Sequence, residues 1–264
     1  MRIGVACLYY EIDKVLNIIE KNKDFINHIE IGIDTANQID EIAPFIDKIK
    51  ELGLSIGIHL AMEINTSENI EFIRENWAKF CFEMCKSLEK FNPSYFNIHM
   101  GYAIKNRFLK NNCKYMKNSV DFFLKLNDYL EKLSIKPIVT VENSYNLTKG
   151  DVINTGTTKE EFKYIFENTK EIRLKNKSPY FCFDTGHYIL NKDDYFSLKD
   201  LTKVVHISDC NGEEDNHLGI FCGRLKKVDL KKAIDMNPDY AVIEVKYDYI
   251  EESIKNVKDF FKPK

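Results

Sequence analysis

The sequence predicts an α/β fold, a parallel (β/α)8 barrel formed as one domain over residues 1–264. Three observations carry that prediction. Eight short apolar runs recur with helical stretches between them; no Pro/Gly/Ser-rich linker or low-complexity block divides the chain; and six ionisable residues of one parity lie at or near the C-terminal ends of the runs. By area scaling, a folded chain of this length exposes about 12,000 Å² of the roughly 45,000 Å² of its extended form, so a large core forms without covalent staples.

Taken in order, the runs are Arg2 to Ala6, His28 to Ile33, Leu54 to Leu60 and Ser94 to Met100, then Pro137 to Glu142, Tyr180 to Asp184, Lys203 to Ile207 and Tyr240 to Val245. Their lengths suit strands. Between the third and fourth runs, Asn69 to Phe91 places Ile70, Ile73, Trp77, Cys81, Met84 and Leu88 at three- and four-residue spacing, which predicts an amphipathic helix. Asp121 to Leu133 and Glu160 to Leu174 have the same character. Thr157 with Glu160, or Thr158 with Glu161, forms a capping box that starts the last of these. Eightfold alternation of strand and helix favours the closed barrel over a doubly wound sheet.

Side chains alternate faces along a strand, so in a barrel one parity meets the helices and the other looks inward. Phe96 and Ile98, Val139 and Val141, Phe181 and Phe183, Val205 and Ile207, and Ile243 and Val245 share one parity. The other carries His59, His99, Glu142, Asp184, His206 and Glu244, at or near the C-terminal strand ends, where barrel enzymes build their active sites. One unpaired buried carboxylate costs several kcal/mol, so six converging ionisable groups need a common partner. A divalent cation supplies one. Any single histidine of the set could be a hydrogen-bonded core residue; the group at one end of one barrel is hard to explain that way. His28 begins its strand and reads as structural, and Glu30 is either a polar core residue or a support for the site. Cys81 and Cys85, on one apolar helix face, read as packing residues, as do Cys7, Cys182, Cys210 and Cys222 on or near strands.

Around the strand ends the chain reads IGIHL, FNIHMG, VTVENS, CFDTGH, VVHISD and VIEVK, with DNHL after the seventh strand. From about Glu30 to Glu244 these segments resemble the xylose isomerase-like barrel superfamily, which includes sugar phosphate isomerases and epimerases and endonuclease IV (AP endonuclease family 2). The epimerase branch implies one metal held by Glu142, Asp184, His206 and Glu244, with Glu142 and Glu244 as opposed acid and base around a metal-stabilised cis-enediolate. The endonuclease branch implies three zinc ions and adds His59, His99, His187, Asp215 and His217 as further metal or substrate ligands. All nine positions are filled. Carboxylate and imidazole donors accept Mn²⁺, Co²⁺, Mg²⁺ or Zn²⁺, one cation in the first reading and up to three in the second.

Other features bear on the choice. The chain has 38 Lys+Arg against 41 Asp+Glu, a net charge of -3, so it lacks the basic excess that general DNA binding favours. The loop after the seventh strand reads CNGEEDNH, which opposes a DNA backbone; Met62 stands where endonuclease IV-like sequences carry a tyrosine, whereas Asn65 fits their pattern. Phe221, Cys222 and Gly223 replace the usual GEG, and Arg224 after them is either a surface residue or a grip on substrate oxygen or phosphate. Lys105 to Lys117 holds five basic residues and no acid, a solvated face or a phosphate-attracting lid. Seven cysteines, with neither a leader pattern nor a run of eighteen apolar residues, predict a cytoplasmic protein without membrane attachment; the sequence leaves open whether it is a homo-oligomer. The expected function is metal-dependent isomerisation or epimerisation of a small sugar or sugar phosphate. AP-site cleavage is the alternative, and a metal-binding barrel without turnover a third class.

Overall fold

The computed structural model describes residues 1–135, 137–146, 150–173 and 179–262. Its first half contains β1 (Arg2–Leu8), α1 (Ile12–Lys21), β2 (His28–Ile33), α2 (Gln38–Ile42), α3 (Ile46–Glu51), β3 (Ser55–Leu60), α4 (Glu71–Leu88), β4 (Tyr95–His99), β5 (Tyr102–Ile104) and α5 (Lys105–Leu130). There follow β6 (Ile138–Glu142), β7 (Val152–Asn154), α6 (Lys159–Asn168), α7 (Lys170–Arg173), β8 (Tyr180–Asp184), α8 (Thr185–Asn191), β9 (Thr202–Ile207), α9 (Lys227–Ile234), β10 (Tyr240–Ile243) and α10 (Ile250–Phe261). Eight strands close a barrel in the order β1-β2-β3-β4-β6-β8-β9-β10, and the neighbours pair in parallel. All eight apolar runs become barrel strands. The accessible surface is 12,832 Å², close to the area expected from chain length.

Parity sorts the side chains as alternation requires. Phe96, Ile98, Val139, Val141, Phe181, Phe183, Val205, Ile207 and Ile243 are buried in the main core between strands and helices. On the inner face, Tyr95, Cys182, Val204 and Val242 form a separate buried cluster that fills the barrel below its C-terminal mouth. The seven cysteines are free; Cys7, Cys81, Cys85, Cys182 and Cys210 are buried, and burial raises the thiols of Cys81, Cys85 and Cys182. Such thiols act as apolar fillers.

Between the two capping alternatives, the structure selects Thr158 with Glu161: the Glu161 amide donates to Thr158 Oγ1, and the Thr158 amide donates to Glu161 Oε2 at 3.1 Å. The helix expected over Asp121 to Leu133 begins much earlier, at Lys105, with a kink at Asn111. Phe108, Tyr115 and Met116 are buried along that first half and anchor it, while its five basic side chains are exposed. The segment from Glu160 to Leu174 is two helices ending at Arg173, and Leu174 lies outside the described residues. An antiparallel pair, β5 with β7, sits outside the barrel; strands of three residues are too short to show an alternation in sequence. Among the described residues no helix is long and apolar enough to cross a membrane.

Candidate metal centre

Because the barrel strands are parallel, their C-terminal ends share one rim, and the register sets the inward residues side by side. His99 lies opposite Glu142, Asp184 opposite His206, and His59 beside Asn97. Glu142 is the hub. Its Oε2 stands 3.4 Å from His59 Nε2 and 3.3 Å from His206 Nδ1, and its Oε1 stands 3.2 Å from His187 Nδ1. Glu244, one residue past β10, brings Oε2 to 2.7 Å from the same His206 Nδ1. The donor atoms of Glu142, Asp184, His206 and Glu244 all lie within 4.8 Å of one another, as do those of His59, His99 and Glu142. A third group joins them, with Asp215 Oδ2 at 3.1 Å from His187 Nε2 and 3.3 Å from His217 Nε2.

The DTGH segment positions two of these side chains through a helix cap. Asp184 is the N-cap of α8 and accepts the His187 amide on Oδ1 at 2.6 Å, so the three-residue spacing follows from the first turn of the helix. Ser208 Oγ donates to Asp184 Oδ2 at 2.7 Å and accepts the Gly186 amide at 2.8 Å. A Cβ at Gly186 would lie 2.5 Å from that hydroxyl, which is why a glycine stands there. His217 has φ 45°, a left-handed conformation that costs a non-glycine residue roughly 1–3 kcal/mol and is held here by Lys246, whose amide donates to its carbonyl.

Hydrogen bonds orient the imidazoles. His59 Nδ1 faces its neighbour's carbonyl, Leu60 O, at 2.9 Å, and His187 Nδ1 faces Asn143 O at 2.7 Å, leaving the Nε2 atoms to face Glu142 and Asp215. His206 Nε2 faces Glu30 at 3.1 Å, leaving Nδ1 toward Glu142 and Glu244. One ring nitrogen tied to an oxygen while the other meets carboxylates is how metal-binding histidines are held. Burial opposes charge on His59, but Glu142, Glu30 and Glu244 outweigh it and raise the imidazole to about 9. His187 and His206 are raised well above the usual range, against their burial, by the surrounding carboxylates. His217 rises to about 9 as Asp215 and Glu244 overcome its burial, whereas burial lowers His99 to about 4. Burial also lifts Asp184 to about 6. The histidine protons thus hold together a cluster of carboxylates that would otherwise repel.

All nine residues matched in the sequence therefore meet at one mouth. Arg224 does not join them: it is exposed, and its Nε donates to Asn211 O. The turn of Phe221, Cys222 and Gly223 before it is held by Asp209, which accepts the amides of Gly223 and Leu225 at 2.8 Å. Sequence reasoning missed Asn97, which donates to Glu142 Oε2, and Asn143, whose Oδ1 accepts the Asp184 amide at 2.7 Å. Asn97 shares the inward parity of His99, the one signal that pointed to it. Above the site opens a cavity of about 740 Å³. Its walls include Glu11, Asp34, Glu63 and Asp248, and Lys246 is the single Lys or Arg among the described residues lining it.

A D-tagatose 3-epimerase-like protein superposes with a TM-score of 0.77 at 18% identity, covering 98% of this chain and 97% of that one. Endonuclease IV from Thermus thermophilus gives a TM-score of 0.67 at 14% identity, with 98% of both chains covered. What this chain shares with both is the fold, a closed barrel of eight parallel strands. By sequence, an uncharacterized protein of Methanocaldococcus jannaschii is 24% identical over 272 residues, spanning 99% of this chain and 100% of its own length. No family model matches the sequence.

Proposed function

We propose that the chain is a divalent-metal isomerase or epimerase of a small unphosphorylated sugar. The observation that carries this reading is the four-donor group of Glu142, Asp184, His206 and Glu244 at the floor of an acid-walled cavity of about 740 Å³. Pockets of that size accept small polyoxygenated ligands. The wall carboxylates accept hydrogen bonds from sugar hydroxyls and repel a phosphate. The likeness to a D-tagatose 3-epimerase-like protein supports the same class.

The residues fit a cation. Among the described residues, buried side-chain atoms without a hydrogen-bond partner include one each on His206, Asp215, His217 and Glu244, all at the mouth. His206 Nδ1 and Glu244 Oε2, both lone-pair atoms when the imidazole is neutral, repel each other at 2.7 Å unless a proton or a metal ion joins them. Carboxylate oxygens and imidazole nitrogens suit Mn²⁺, Co²⁺, Mg²⁺ or Zn²⁺. A bound cation supplies Lewis-acid polarisation of the carbonyl and hydroxyl oxygens beside it. Glu142 and Glu244, reaching the same space from separate strand ends, would remove and return the proton on the carbon next to the carbonyl. His59, His99, His187 and His217 would hold substrate hydroxyls. Incubating Mn²⁺- or Co²⁺-loaded protein with free ketoses and aldoses in D₂O tests this: NMR should show deuterium entering at the carbon beside the carbonyl. A panel without exchange would sink the reading.

A hydrolytic reading is favoured by a second observation: His59, His99 and Glu142 form a donor group of their own, and Asp215 lies between His187 and His217. Filled by two or three cations, the mouth would suit attack on a phosphodiester such as an AP site. Metal analysis separates the readings. About one equivalent of Mn or Co supports isomerisation, and two or three of Zn supports hydrolysis.

A further inference from the structure

Beneath the mouth a line of buried polar groups runs down the barrel interior, and none of them belongs to the donor groups above. Glu30 on β2 faces His206 Nε2 with both carboxylate oxygens at 3.1 Å. The Tyr95 hydroxyl on β4 donates to Glu30 Oε2, His28 Nε2 lies 3.1 Å from that hydroxyl, and His28 Nδ1 lies 2.8 Å from Ser55 Oγ. His28, Glu30, Tyr95 and His206 are at most 1% exposed. The barrel is hollowed to admit them: a Cβ at Gly4 would stand 2.6 Å from the His28 ring, and one at Gly57 would stand 2.5 Å from the Tyr95 ring.

A buried carboxylate in a barrel floor costs several kcal/mol where a valine or leucine would pack freely, so its role must lie in what it contacts. Tyr95 has one hydroxyl proton and gives it to Glu30, so it accepts from His28 Nε2–H; His28 Nδ1 then turns a lone pair toward Ser55 Oγ, whose hydroxyl also reaches Asn27 O at 3.4 Å. Glu30 receives protons from Tyr95 on one side and His206 on the other and stays anionic. That arrangement holds the His206 proton on Nε2 and presents Nδ1 to Glu142 and Glu244.

We propose that Glu30, itself held by Tyr95, is the positioning residue that fixes the tautomer and ring orientation of His206 for a divalent cation at the mouth. The proposal rests on the metal-centre reading. It is tested by titrating Co²⁺ into metal-stripped full-length protein, following heat and the visible d–d absorption spectrum. In Glu30→Gln the amide NH2, in either orientation, puts a donor against His206 Nε2–H, and Co²⁺ affinity should fall about 10- to 100-fold, with a changed spectrum. Tyr95→Phe keeps the charge and removes one support, so affinity should fall by less than about tenfold. A folded Glu30→Gln protein with wild-type Co²⁺ affinity and spectrum would overturn the proposal. If that variant does not fold, Tyr95→Phe decides, and unchanged affinity and spectrum there would overturn it. A wild-type protein that takes up no Co²⁺ would bring down the metal-centre reading itself, a failure visible before any variant is compared.

Discussion

His187 and Asp215 meet at 3.1 Å, Nε2 to Oδ2, although one lies on the first turn of α8 and the other on the loop after β9. Asp215 also faces His217, and its carboxyl stays low because the hydrogen bonds and charges of both histidines overcome its burial. Under the isomerase reading His187 contacts substrate, so His187→Ala should keep near wild-type metal content while kcat/KM for the sugar falls. Metal content that falls in proportion to activity would instead make His187 a ligand, as the hydrolytic reading requires. Elemental analysis alongside steady-state kinetics gives the answer.

Glu142 is the residue whose loss affects most of the site, since His59, His187, His206 and Asn97 all face its carboxylate. Glu142→Gln removes a charge that several imidazoles require and a candidate acid/base. Turnover should drop by about 10²-fold or more, together with metal affinity. Full activity in this variant would exclude its assigned role under either reading.

The barrel could be read from sequence because burial on one face leaves a two-residue period, and Phe96, Val139, Phe181 and Val205 keep that period on every strand where it was needed. Six of the mouth residues, His59, His99, Glu142, Asp184, His206 and Glu244, were legible for the same reason, through inward parity, whereas His187, Asp215 and His217, which lie beyond the strands, were implied only by the resemblance in the DTGH and DNHL segments. What could not be read depends on pairing between distant strands. Asn97 reaches Glu142 only because β4 lies against β6, and Glu30 reaches His206 across the barrel; no local pattern announces either contact. Arg224 stays outside the mouth, exposed with its Nε on Asn211 O, beside a turn that Asp209 holds through the amides of Gly223 and Leu225, distant contacts with no local signature.

A packing prediction follows from the outer face of β8. Phe181 is fully buried and its ring lies against those of Phe162, Phe166, Phe183 and Tyr195. Phe181→Ala should destabilise the fold by about 3–5 kcal/mol, the usual cost of an aromatic core truncation. Urea unfolding should show a lower midpoint, and an unchanged midpoint would mean that this cluster contributes little.

DNA affinity should be weak. Glu213 and Glu214 are exposed beside Asp215, and Glu11, Asp34, Glu63 and Asp248 line the cavity. The exposed bases of Lys105 to Lys117 are the opposing local attraction. Fluorescence anisotropy with an abasic duplex at physiological salt should give dissociation constants no tighter than the nonspecific range of about 10⁻⁴–10⁻⁶ M. Tight binding with strand cleavage would put the hydrolytic reading first.

The last prediction concerns pH. In the metal-free protein His59 and His217 are raised to about 9, and His187 and His206 well above the usual imidazole range, so all four are charged at neutral pH because carboxylates face them. A cation needs the lone pairs of neutral imidazoles, so its binding must release protons. Apparent affinity should therefore rise with pH from about 6.5 to 9, by about tenfold per unit for each proton released. Stability of the metal-free fold should move the other way. A histidine whose folded pKa is raised adds stability in full below its unfolded value near 6.5 and loses it as pH climbs through the folded value. Melting of stripped protein should thus occur at lower temperature at pH 9 than at pH 6.5, while metal-loaded protein, with its imidazoles already neutral, should resist that fall. Equal pH dependence of the two forms would show that the imidazolium cluster and the cation do not compete for the same nitrogens.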